Sequence, residues 1–291
     1  MRPVRPKLGV ALGGGCARGY AHIGALKALE AHGIWPDAIA GTSTGAVFAG
    51  LYALGIHGLA LEHLVRQQNN LEIWAQGIDF GLHRGALIHG RKLTNWLDRK
   101  FFFGARFEDT EIPLAVGCTD IETGGLFVIS EGSIADAVRA SCALPLFFST
   151  VRWKRHFLID GGFVEAVPYR TLKVLNPERM IGIHTGLNIE LPRLVQATSR
   201  LSRSALGRAF NRVTNTIPIS WPLGQVLRGV SIASKSFGNR VQAPHGTHLV
   251  RVYPPVTWLD FHQSPLAIAA GESAVLESLP RLFRAETLQQ S

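Results

Sequence analysis

A serine between two glycines, Gly41-Thr42-Ser43-Thr44-Gly45, separates two apolar runs. A Gly-x-Ser-x-Gly turn from strand to helix projects a serine oxygen off a sheet edge, and its flanking residues are small because the two backbones come close together. The same hydroxyl could do no more than cap the helix N-terminus, a common task for serine and threonine. A carboxylate that could serve such a serine as a base stands in Asp160-Gly161-Gly162, where a short apolar run ends in an acid and glycines permit a sharp turn. Alone, that tripeptide reads equally as an ordinary Asp-Gly turn.

A glycine loop comes earlier, in Leu12-Gly13-Gly14-Gly15-Cys16-Ala17-Arg18-Gly19. Glycines at the start of a helix let backbone N–H groups point at an anion, and the helix dipole adds positive potential. Gly13, Gly15 and Gly19 approximate a dinucleotide-binding spacing, with Asp37 near the place of a ribose-binding acid. A P-loop is excluded, because Arg18-Gly19-Tyr20 replaces the Gly-Lys-Ser/Thr that it needs. In the third reading the Gly14, Gly15 and Cys16 amides form an oxyanion hole, which requires a nucleophile nearby, and Ser43 is the candidate.

The elements that would position these residues follow from hydrophobic periodicity. Strands are expected at Leu8–Leu12 and Asp37–Ala40, and helices at Gly19–Ala31 and Thr44–Leu54. Further strands are expected at Pro113–Cys118, Gly125–Ile129, Phe157–Ile159, Met180–His184 and His248–Tyr253, with helices at Ile134–Ser141 and Pro265–Phe283. The alternation predicts a three-layer α/β/α fold around a central, mainly parallel sheet, in one domain spanning residues 1–291. The glycine loop and the serine turn then end neighbouring strands on one sheet edge, which favours a nucleophile over a cap at Ser43.

Composition narrows the classes. Three widely spaced cysteines without a CxxC pair argue against a disulfide framework or a zinc ribbon, and a reducing cytoplasm is the simplest setting. No metal ligand set and no cofactor are expected. The uncharged stretch Ala38–Leu61 is long enough to suggest a membrane span, but the Gly41–Gly45 turn breaks it. Four late histidines, His184, His245, His248 and His262, could complete a triad, yet none has a recognisable setting, and His22 reads as a core residue on a helix face. A lone Cys16 without an adjacent histidine reads as packing.

The glycine loop with Arg18, the Gly-x-Ser-x-Gly turn and the Asp-Gly-Gly turn, in that order, resemble the patatin-like phospholipase family, close to its bacterial branch. RGYAHIGALKALEAHGI at 18–34, ASCALPLFF at 140–148 and WLDFHQSPLAIAAGESA at 258–274 extend the resemblance over most of the chain. It implies a phospholipase A or lysophospholipase-type hydrolase with a Ser43–Asp160 dyad and no catalytic histidine. Glycine-loop amides would hold the oxyanion, while Arg18 would attract a lipid phosphate or orient the loop. Two residues depart from the family pattern. Cys16 stands where another glycine is usual, and Ala166 stands where an asparagine is common, two residues before Pro168.

The net charge of +9 is concentrated. Residues 191–259 hold nine basic residues and no acid, so the remainder is neutral. Within a basic segment at about 190–243, Arg193–Thr214 sets mostly small apolar residues along one helical stripe and arginines on the other side, the pattern of an interfacial helix or lid on anionic membrane, or of a solvated helix packed on the domain. No nucleic-acid motif accompanies that charge. The expected partner is a lipid ester substrate, with peripheral membrane contact, and the sequence is silent on oligomeric state. Two other functions remain open on sequence alone. They are an NAD(P)-binding oxidoreductase using the glycine loop and a catalytically silent lipid-binding protein of the same fold.

Overall fold

Alternation along the first strand separates two faces of unequal bulk. In Leu8–Leu12 (β1), Val10 and Leu12 join a large apolar cluster, while Ala11 joins a small one on the opposite face. Ala38–Thr42 (β2) repeats this with Ile39 against Ala38 and Ala40. The computed structural model describes residues 7–67, 80–83, 86–88, 90–145, 147–186 and 241–287. The basic segment at about 190–243, with its amphipathic stripe, therefore lies almost wholly outside the described residues.

The first helices pack on the bulky face: α1 (Ala21–Ala31), α2 (Thr44–Ala53) and α3 (Gly58–Arg66). A small hairpin, β3 (Phe80–His83) and β4 (Ala86–Ile88), precedes α4 (Arg91–Leu97). Next come β5 (Leu114–Asp120), β6 (Leu126–Ile129), α5 (Ile134–Ser141), β7 (Val151–Trp153) and β8 (His156–Asp160). The chain continues through α6 (Tyr169–Lys173), β9 (Arg179–His184), β10 (His248–Arg251) and α7 (Ser264–Thr287). Tyr169 and Leu172 of α6 cover the alanine face, where side chains as small as Ala11, Ala40 and Ala115 leave room for a helix to lie close.

Strands β10, β9, β1, β2 and β5 run parallel, while β6 and β8 pair antiparallel with β5, and β7 with β8. The result is an α/β fold with a central, mostly parallel sheet flanked by helices, as the alternation predicts. The sequence reading does not foresee β7, the β3–β4 hairpin, or helices α3, α4 and α6. These elements are short, and short apolar runs give weak periodicity.

The chain leaves β1 toward β2 on one side and returns as β9 on the other, so the end of β1 is a topological switch point, where open α/β sheets form their crevice. Behind that crevice α1 and α7 meet backbone to backbone. A Cβ added at Gly24 would collide with the Ile268 carbonyl, and one at Gly271 with that of Ala21. A Gly24→Ala substitution is therefore expected to cost about 2 to 3 kcal/mol by overpacking, seen as a lower urea midpoint with an unchanged m-value.

Candidate active site

Ser43 occupies the N-cap position of α2 with φ of 55° and ψ of −127°, a left-handed backbone that a residue with a Cβ adopts only under strain. Its side chain makes no cap. Instead, Ser43 Oγ donates to Asp160 Oδ2 at 2.7 Å, which answers the choice between cap and paired hydroxyl that the pentapeptide leaves open. Gly41 and Gly45 fit the tight turn for a steric reason. A Cβ on Gly41 would strike Ala46, and one on Gly45 would strike the carbonyls of Leu12 and Gly13. The Ser43 N–H donates to Ser141 Oγ at 2.8 Å, and Ser141 passes its own proton to the Gly117 carbonyl at 2.6 Å.

Asp160 reaches this turn through β5. Thr42 of β2 pairs with Gly117, and the next residue of β5, Cys118, pairs with Asp160 of β8. Gly117 also pairs with Val128 of β6, and Thr119 pairs with both Leu126 of β6 and Ile159 of β8, so β2 and β8 share one edge of β5. They run toward each other along it and end at the same point. Asp160 Oδ1 accepts the Gly162 N–H at 2.8 Å, which is the structural use of the glycine turn. Burial pushes the Asp160 carboxyl up to about 6, although the Ser43 and Gly162 hydrogen bonds oppose the rise.

The glycine loop is fastened from behind. The Gly13 N–H bonds to the Ile183 carbonyl at 3.0 Å, Thr185 Oγ1 donates to the Gly14 carbonyl at 2.9 Å, and the Ala17 N–H reaches the Trp258 carbonyl at 3.0 Å. His22 is fully buried, and desolvation lowers it to about 4, so its neutral ring donates from Nε2 to the Gly13 carbonyl at 2.7 Å. His22 is thus a core histidine that also holds the loop. Of the three amides read as oxyanion donors, that of Gly14 is already given to the Ala166 carbonyl at 3.2 Å. Gly15 and Cys16 remain as the loop amides with no hydrogen-bond partner among the described residues.

Cys16 does adopt the strained geometry, with φ of 50°. Its thiol is pushed up to about 12, first by burial and then by the Asp160 charge, so it stays protonated at neutral pH. Arg18 donates from Nε to the Val256 carbonyl at 3.0 Å and from Nη1 to that of Gly186 at 3.5 Å, which ties the loop to two other segments. Ala166 carries no hydrogen-bonding side chain, and Glu165 makes no hydrogen bond to Asp160. The Glu165 carboxylate instead accepts the Thr171 N–H and hydroxyl at the start of α6.

Asp37 does not fit the ribose role. It precedes β2, at the opposite end of that strand from the glycine loop, and its Oδ2 accepts the Leu8 N–H at 2.8 Å. None of the described histidines hydrogen-bonds Ser43 or Asp160, and His156 pairs with Asp120 at 2.8 Å. No group of three or more His, Cys, Asp or Glu able to hold a metal ion occurs among the described residues. Nor is any helix there long and apolar enough to cross a membrane. The sequence reading passed over Ser141 and Thr185, whose hydroxyls hold the two backbone turns in place. Ser141 lies in the quoted 140–148 stretch, but nothing in that stretch says which backbone it would meet.

Fold and site together define an α/β protein with a serine–aspartate pair at strand ends and a backbone-amide loop one strand away. The family whose model matches residues 10–173 is the patatin-like phospholipases, and the chain belongs to that family. A Caenorhabditis elegans patatin-like phospholipase domain-containing protein, ZK370.4, is 31% identical over 183 residues, which are 62% of this chain and 14% of that protein. Lysophospholipase NTE1 of Lodderomyces elongisporus is 29% identical over 184 residues, 62% of this chain and 12% of that one. An NTE family protein of Mycobacterium bovis, Mb1092c, is 28% identical over 180 residues, 61% of this chain and 49% of its own length. The chain thus spans less than half of each of these relatives. The solved structure of VipD from Legionella pneumophila aligns with 96% of this chain and 67% of its own at 15% identity, with a TM-score of 0.48.

The buried carboxylate sets up a stability test. The folded-state value of Asp160, about 6, lies above its ordinary 3.8, so the folded protein prefers the protonated acid. The penalty for ionising it is present in full above pH 6 and fades as the pH falls from there toward 4. Asp160→Asn is expected to raise the melting temperature at pH 8 by the equivalent of about 1 to 3 kcal/mol, with little difference from wild type near pH 4, as read by calorimetry across pH.

Proposed function

We propose that the protein is a serine acyl hydrolase acting on phospholipid or lysophospholipid esters through a Ser43–Asp160 dyad and an acyl-enzyme. The 2.7 Å hydrogen bond from Ser43 Oγ to Asp160 Oδ2, made from a strained strand–helix turn, carries this reading. Ionised Asp160 takes the Ser43 proton as Oγ attacks the acyl carbonyl, and the Gly15 and Cys16 amides receive the oxyanion. Asp160 then protonates the departing alcohol, leaving the acyl group on Ser43. A water gives its proton to Asp160 and hydrolyses that ester, and the proton returns to Ser43.

A carboxylate with an ordinary value near 3.8 is a weak base, and the shift to about 6 brings its proton affinity closer to that needed near neutral pH. Lipid ester specificity is supported by family membership and by the lysophospholipase relatives. The place of Asp37 at the far end of β2 disfavours the dinucleotide reading. Free thiols at all three cysteines fit a reducing compartment, and the basic residues between 190 and 243 are suited to anionic membrane, which would leave the enzyme cytoplasmic and peripheral.

Short-chain p-nitrophenyl esters and lysophospholipid are the substrates for the test. Ser43→Ala and Asp160→Asn are each expected to lower kcat by about a thousandfold or more. In the wild type, log kcat/KM should rise with unit slope below pH 6 and level off above it, as Asp160 loses its proton. Turnover that survives in both variants would sink the dyad. Liposome binding without labelling of Ser43 by a fluorophosphonate probe would favour a silent lipid-binding protein.

Ser141 acts at one remove. Ser141→Ala is expected to reduce kcat about tenfold with little change in KM, because the Ser43 amide loses the partner that holds its strained turn. Ser141→Thr, which keeps the hydroxyl, should restore part of that loss.

A further inference from the structure

The apolar cluster joined to the dyad is partly exposed. Leu144 and Trp258 are buried at its centre, and Phe147, Phe148, Phe163 and Cys16 pack against them while remaining partly exposed. Phe147 meets Trp258 edge to face at 5.7 Å, and the Arg139 guanidinium lies 5.3 Å over Phe148. Each wall of the cluster is joined to the site. Leu144 follows Ala143, whose carbonyl accepts the Asp160 N–H at 3.0 Å. Phe163 follows Gly162, whose N–H bonds Asp160 Oδ1, and the Trp258 carbonyl holds the amide next to Cys16.

Cys16 is the link between this cluster and the reacting centre. Its amide is one of the two loop donors left without a partner, and its side chain touches the aromatic group. At φ of 50° glycine would serve without the steric cost of a Cβ, so the side chain is kept against a local conformational preference. We propose that Cys16 is a specificity-determining residue whose side chain forms the near wall of an acyl-chain subsite, completed by Leu144, Phe147, Phe148, Phe163 and Trp258. The inference rests on the ester-hydrolase reading for its occupant. A partly exposed surface formed by aromatic, leucine and thiol groups, joined to the dyad through backbone contacts, suits a hydrocarbon chain rather than a head group. The wall nearest the loop faces the first carbons beyond the carbonyl, so Cys16 selects against branching there.

Binding of saturated and 2-methyl-branched fatty acids to the full chain carrying Ser43→Ala tests this without turnover, by isothermal titration calorimetry. Affinity is expected to climb with chain length, by at most about fourfold per methylene buried, and to weaken about tenfold for dodecanoate when Trp258→Ala is added. Adding Cys16→Gly should raise the affinity for 2-methyldecanoate relative to decanoate about tenfold, with the circular dichroism spectrum unchanged. Phe163→Ala gives a second measure of the same wall if Trp258→Ala fails to fold. Affinity independent of chain length, or a branched-to-straight ratio within twofold of the parent in Cys16→Gly, would overturn the proposal. If the binding pattern holds while the Ser43-intact protein hydrolyses no ester, the subsite stands and the hydrolase reading falls.

Discussion

Two strands that share one edge of β5 and run head-on place Ser43 against Asp160. β2 arrives parallel to β5 and stops opposite Gly117, while β8 arrives antiparallel and stops opposite Cys118. The overhang of β5 beyond β2 makes this possible, because without Cys118–Asp120 the returning strand would have no edge to pair with. The rest of the site is arranged around that junction. Ser141 arrives at the end of α5 to hold the Ser43 amide, Gly162 turns back to hold the carboxylate, and Gly45 lets the glycine loop lie against the serine turn.

Holding the pair together has an energetic consequence. Asp160 is almost wholly buried, and two hydrogen bonds only partly compensate the desolvation of its charge, so its proton affinity rises. The same burial that weakens the folded protein above pH 6 makes the carboxylate a stronger base, so a stability cost and a raised proton affinity share one residue. Ser43 adds a second local cost through its positive φ. Such costs persist because the surrounding core over-determines the backbone, with Ile39, Val116 and Ile134 among the buried side chains packed beneath the junction.

The loop follows a different logic. Its carbonyls are tied by His22, Thr185 and the Arg18 amide, which aims the chain so that the Gly15 and Cys16 amides are left over. A donor that must meet charge developing on a substrate is more useful when it is fixed in advance, since no reorganisation is then required. Cys16 combines two properties that are usually separate, a backbone amide without a hydrogen-bond partner among the described residues and a side chain in the neighbouring apolar cluster.

The sequence by itself singled out the candidate residues, and the pairing of Ser43 with Asp160 was what the family resemblance implied. Ser43, Asp160 and the glycine loop stood out because small residues around a hydroxyl or an acid have few uses other than tight turns, and because strand–helix alternation ties those turns to a sheet edge. It also determined the mostly parallel sheet and the long helices, whose periodicity is local. Only the tertiary structure decided that the serine is bonded to the aspartate rather than capping its helix, since that depends on how two strands 117 residues apart share an edge. Only the structure, too, set Asp37 at the far end of its strand, gave the Gly14 amide to Ala166, and recruited Ser141 and Thr185 as braces. Each of these outcomes rests on a contact between segments distant in sequence, which no local pattern encodes.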